Sequence, residues 1–63
     1  MAKYSLRFLN ANNRIDDVVM MECDGDKSAQ ARASFLFGQR NDYPRIEVWL
    51  DGRLVFSEDK NVD

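Results

Sequence analysis

Residues 15–37 read IDDVVMMECDGDKSAQARASFLF, and this stretch decides the fold. Ile15 to Cys23 is an extended run whose centre, Val18-Val19-Met20-Met21, is apolar on both faces. A strand of that kind is either central and covered twice, or covered on one side by a partner. Asp24-Gly25-Asp26 breaks it. Lys27 to Phe37 then carries Ala29, Ala31 and Ala33, and alanine is the strongest helix former. Asp26 or Ser28 is expected to cap the helix, with the acids also favourable at its positive end. Gly38 is expected to end it in the left-handed conformation. Helical periodicity puts Ala29, Ala33, Leu36 and Phe37 on one face, where small alanines allow close approach to a sheet, and Ala31 and Phe35 on the other.

Working outward, Lys3 to Leu9 alternates: Tyr4, Leu6 and Phe8 point one way, Ser5 and Arg7 the other, as in a half-buried strand. Asn10 to Arg14 is a turn, since asparagine tolerates positive φ and bonds back to the local backbone. So short a connection predicts an antiparallel hairpin with the strand from Ile15. Beyond the helix, residues 39–44 form a polar loop whose Pro44 keeps Tyr43 extended. Arg45 to Leu50 and Arg53 to Ser57 flank Asp51-Gly52, the strongest hairpin signal in the chain. A two-residue loop would pair Leu50 with Arg53 and Val48 with Val55. A turn with Gly52 as a bulge would pair Trp49 with Arg53 and Val48 with Leu54. The second gathers Ile46, Val48, Leu54 and Phe56 on one face, leaves Glu47, Trp49, Arg53 and Val55 outside, and is preferred. The expected fold is α+β: a ββαββ domain over residues 1–57, a four-stranded antiparallel sheet with one helix on one face, and a flexible tail at 58–63. Strand order stays open.

The chain has 63 residues, which limits it to one small domain with little core to spare. Ile, Leu, Val and Phe make up about a quarter of it and the net charge is only −2, so it should fold. The charge is arranged in blocks: +3 over 1–15, −5 over 16–26, +3 over 27–45 and −3 over 46–63. Such blocks suit complementary strands or a self-complementary dimer, and not a nucleic-acid binder driven by bulk charge. No run is long and apolar enough to span a membrane, the opening MAKYSLRF does not read as a signal peptide, and an unstapled chain with one cysteine suits a reducing compartment. The expected location is the cytoplasm.

Catalytic and metal chemistry find little to work with. There is no histidine, and Cys23 stands alone with no base to activate it as a nucleophile. Glu22, Asp24 and Asp26 resemble the start of a calcium loop, but Lys27 stands where glycine is needed and Ala33 where glutamate is needed. Asp16 and Asp17, as strand neighbours, point to opposite faces and do not converge on a substrate. The three glycines stand singly, so no phosphate-binding loop exists. No catalytic residue, cofactor or metal site is expected. A surface pairing remains: Trp49 with Arg53 across the hairpin and Arg45 nearby, a cation–π platform able to anchor a protein or stack a base.

The pattern Tyr4-x-Leu6-x-Phe8, the alanine-rich helix ending near Gly38, and Ile46-Glu47-Val48 followed by Asp51-Gly52-Arg53-Leu54-Val55 resemble a group of short bacterial proteins with a strand–strand–helix–strand–strand plan and no assigned function. The likeness spans about residues 3–57. This chain departs from the group in a first turn without glycine and in a shorter helix. The resemblance implies a fold and brings no catalytic residues. The function expected is therefore a non-enzymatic protein-interaction module that self-associates as a homodimer, with Val18, Met20 and Phe35 as candidate dimer contacts and an unidentified protein partner. The alternative is a single-stranded nucleic-acid binder using Trp49, Arg53, Arg45 and Arg7 on the outer sheet face.

Overall fold

A computed structural model describes residues 1–40 and 42–60 of the chain. Strands β1 (Ala2–Leu9) and β2 (Ile15–Cys23) precede helix α1 (Asp26–Gln39), and strands β3 (Arg45–Leu50) and β4 (Arg53–Asp59) follow it. All pairings are antiparallel and the strand order is β2-β1-β3-β4. The α+β reading holds: four strands in one sheet, with the helix packed on one face. The two hairpins meet at their first strands, β1 against β3, with Leu6 opposite Val48 and Phe8 opposite Ile46. This placement puts β2 at an edge, so of the two alternatives for this strand the central one does not hold.

The core lies between α1 and the central strands. Tyr4, Leu6, Phe8, Ile46, Val48 and Phe37 are its largest fully buried side chains, and Ala29 and Ala33 are completely buried beneath the helix. Alanine at these two positions lets the helix backbone approach the sheet closely, so that Phe37 one turn later fills the remaining space. Met21 and Cys23 close the core on the β2 side. As alternation requires, Val19 packs against the core while Val18 and Met20 face away from it.

The first turn behaves as its asparagines predict. Asn13 has φ 62°, and the Asn10 carboxamide oxygen accepts from the backbone N–H groups of Asn12 and Arg14 at 2.8 and 3.1 Å. The helix ends differ from expectation. Gly25 is the N-cap in an extended conformation, and neither Asp26 nor Ser28 caps the helix with its side chain. Asp26 is already helical, and its carboxylate is turned to Tyr4 and Arg53. Gly38 lies inside the helix and has no positive φ; the helix runs to Gln39, and the N–H of Arg40 bonds to the Phe37 carbonyl. An extended Arg40 that closes the last turn leaves no left-handed residue for glycine to supply.

The second hairpin combines parts of both registers considered above. Asp51 and Gly52 have φ 50° and 81°, the pair of positive values that marks a type I′ turn, and Leu50 faces Arg53 as a two-residue loop requires. The ladder then shifts: Trp49 pairs with Leu54 but Val48 with Phe56, so Val55 is an extra residue. The bulge returns Phe56 to the helix-facing side, where an unbroken ladder would have sent it outward. The preferred register is corrected on two counts. Leu54 is 45% exposed on the outer face, and Arg53 is on the helix side, not beside Trp49. Strand β4 also continues to Asp59, two residues into the expected tail, with Glu58 accepting from the Ser34 hydroxyl and Asp59 paired with Arg45. The N–H of Lys60 then bonds to the Pro44 carbonyl at 2.8 Å, so the expected flexible tail is ordered to this point, and 61–63 lie outside the described residues.

Candidate functional site

The helix covers one face of the sheet and leaves the other bare. Alternation from the buried Tyr4, Leu6 and Phe8 assigns Lys3, Ser5, Arg7 and Leu9 of β1 to the bare face. Cross-strand pairing adds Ile15, Val18, Met20 and Glu22 from β2. It adds Arg45, Glu47 and Trp49 from β3, and Leu54, Ser57 and Asp59 from β4. Ile15, Val18, Met20 and Leu54 are between 45% and 57% exposed there. Leu9 is buried beneath this face, and a shallow depression over it is lined by Asn13, Ile15, Arg45 and Glu47.

A polar chain crosses the middle of the face. The Trp49 indole N–H donates to one Glu47 carboxylate oxygen at 3.0 Å. Arg45 pairs with the other at 3.5 Å and with Asp59 at 3.1 Å. The Arg7 guanidinium lies 4.9 Å from the Trp49 ring centroid. A cation–π platform is thus present, but Arg7 supplies the cation and not Arg53. Of the expected platform residues, Trp49 and Arg45 share this face, and Arg7, expected only in the nucleic-acid alternative, joins them. Sequence reasoning missed Glu47 as the acid joining them, although its position two residues from both Arg45 and Trp49 on one strand face was a usable signal.

Arg53 belongs to a different cluster at the start of the helix. The Tyr4 hydroxyl donates to Asp26 at 2.8 Å, and Arg53 approaches the other carboxylate oxygen at 3.5 Å. The hydrogen bond from Tyr4, aided by Arg53, holds the Asp26 carboxyl below its ordinary pKa despite partial desolvation. The same bond, with burial added, raises the Tyr4 phenol. A carboxylate committed to these two partners is not free for calcium, and among the described residues no group of three or more His, Cys, Asp or Glu side chains could hold a metal ion. Asp16 accepts from Asn10 in the adjoining turn and Asp17 from Arg40 beyond the helix, so the two adjacent acids serve two separate contacts. Cys23 is buried.

The three candidate dimer contacts divide between opposite sides of the molecule. Val18 and Met20 are on the bare sheet face, whereas Phe35, 66% exposed, projects from the far side of α1 beside Ala31, Arg32 and Leu36. One two-fold interface cannot hold all three. No family model matches the chain, and no curated protein or solved structure is detectably similar to it. Among the described residues no helix is long and apolar enough to cross a membrane.

Proposed function

We propose that this protein is a cytoplasmic, non-enzymatic interaction module that self-associates through the bare face of its sheet. The observation that carries the reading is that, among the described residues, four of the six exposed large hydrophobic ones, Ile15, Val18, Met20 and Leu54, are on the one sheet face that no described element covers. Charge supports a second copy as the occupant. Lys3, Arg7 and Arg45 on that face are balanced by Glu22, Glu47 and Asp59, and a neutral surface of mixed sign is what a two-fold contact requires of itself. Size supports it too. A standard interface takes roughly 800 Å² from each partner, about a fifth of the 4301 Å² that the chain exposes. The single-stranded nucleic-acid reading is weaker, because Arg45 is paired with Glu47 and Asp59 on the same surface.

Sedimentation equilibrium over a hundredfold concentration range tests the proposal. Self-association should raise the mass above 7.3 kDa, and Leu54→Asp or Met20→Asp should return it to that value while Phe35→Asp leaves it unchanged. A constant monomer mass for the natural sequence would overturn it.

A further inference from the structure

We infer that the free edge of β2 is a strand-addition site for an extended segment of another protein, apolar at its centre and carrying Lys or Arg at both ends. This goes beyond self-association, which uses the face of the sheet and not its edge.

The strand order leaves two edges, β2 and β4. Edge strands that must stay unpaired are blunted by bulges and charges. β4 has both: Val55 interrupts its ladder, and Arg53, Glu58 and Asp59 stand at its two ends. β2 carries its bulge, at Asp16, and its charges, Asp16, Asp17 and Glu22, towards its ends, whereas the bulge of β4 breaks its ladder in the middle. From Asp17 to Cys23 it pairs with Phe8 to Ala2 without interruption, and it has neither charge nor proline from Val18 to Met21.

The backbone shows which groups face the edge. The Val18 N–H donates to the carboxylate of the preceding Asp17 at 2.9 Å, so this N–H points away from β1. Strand alternation then turns the peptide groups of Met20 and Glu22 to the same side. Asp17 guards the first of these donors and is itself held by Arg40 at 3.3 Å. Among the described residues no loop or turn backbone bonds to Met20 or Glu22.

Charge chooses the occupant. Asp16 and Asp17 stand before the apolar centre, and Glu22 and Asp24 after it. Among the described residues neither Glu22 nor Asp24 forms an ion pair, even though Lys3 is the cross-strand neighbour of Glu22. A second β2 fits badly. Any antiparallel register that overlaps Val18–Met21 with itself brings the Asp16–Asp17 end of one copy against the Glu22–Asp24 end of the other, and like charges across a ladder are destabilising. A segment with basic ends reverses both contacts, and its main chain supplies the hydrogen bonds that β-augmentation uses for affinity.

The test titrates the isotope-labelled full chain with a capped peptide, Lys-Arg-Val-Thr-Val-Thr-Val-Lys-Arg, and follows backbone amide shifts. The largest shifts should fall at Val18, Met20 and Glu22. Binding should weaken at least tenfold when glutamate replaces the basic residues, and should fall with added salt. N-methylating alternate peptide residues should abolish binding in one phase and spare it in the other, because only every second N–H of an added strand faces its neighbour. Leu54→Asp should bind the peptide unchanged, which separates the edge from the self-association face. The inference is overturned by no binding at low salt, by equal binding of the glutamate peptide, or by two N-methylated phases that behave alike.

Discussion

The Tyr4 hydroxyl donates to the Asp26 carboxylate at 2.8 Å, joining the third residue pair of the β1–β2 hairpin to the first turn of the helix. Twenty-two positions apart in sequence, the two groups set the end of α1 on the sheet where no side-chain cap fixes it. Each changes the other's titration. Asp26 is a weaker base in the folded chain than in the unfolded one, so its contribution is fully present above the ordinary aspartate pKa of about 3.9 and is lost as pH falls through its depressed folded value. Tyr4 has a raised pKa, so its contribution is present below about 10 and is lost as pH rises through the folded value. Tyr4→Phe should lower stability near neutral pH and flatten both limbs of a plot of thermal midpoint against pH. Parallel curves for variant and natural protein would show that the pair does not set these limbs.

The Asp51-Gly52 turn yields a sharper contrast. Both residues have positive φ, and a Cβ added at Gly52 would meet nothing within 4 Å. The cost of Gly52→Ala is therefore conformational and should be about 1–2 kcal/mol. Asp51→Asn should be neutral or slightly stabilising, because asparagine accepts the left-handed region at least as well. Urea unfolding of the two variants checks this. Equal losses would be inconsistent with a type I′ turn.

Two phenylalanines two positions apart on α1 should respond very differently. Phe37 is 2% exposed and Phe35 is 66% exposed. Phe37→Ala should cost about 3–5 kcal/mol, enough to unfold a domain this small. Phe35→Ala should stay within about 0.5 kcal/mol. A large loss at Phe35 would mean that this helix face is covered in solution.

Deleting Val55 should leave the fold intact. Without it, Leu50–Arg53, Trp49–Leu54 and Val48–Phe56 form a regular ladder, with Leu54 still outside and Phe56 still inside. Stability should fall less than for Phe37→Ala, since Val55 is only half-buried against the core. Deleting Ser57 should be worse, because it moves Glu58 away from both Ser34 and its place opposite Ile46. Cross-strand proton contacts between Val48 and Phe56 report the register. Their loss in the Val55 deletion would show that the bulge is needed to hold it.

The local part of this architecture was legible in the residues themselves. Alternation in Tyr4-x-Leu6-x-Phe8, the alanines of the helix, the asparagine turn and Asp51-Gly52 each act over a few residues, so element types and most boundaries followed from them. The helix ends did not, because Asp26 and Arg40 were drawn to partners far along the chain: Tyr4 and Arg53 for the one, Asp17 for the other. The platform failed in one member for the same kind of reason. A tight turn favoured Leu50 opposite Arg53, while the core required Phe56 opposite Val48, and one inserted residue, Val55, satisfied both. That compromise moved Arg53 to the helix and Leu54 to the outer face, and left Arg7, from a strand forty residues earlier, to meet Trp49. Sequence alone determined what each segment is, because backbone preference and side-chain period are local. Only the tertiary structure decided which strands are edges, which face is bare and which charges meet, because those depend on packing between segments that share no neighbourhood in the chain.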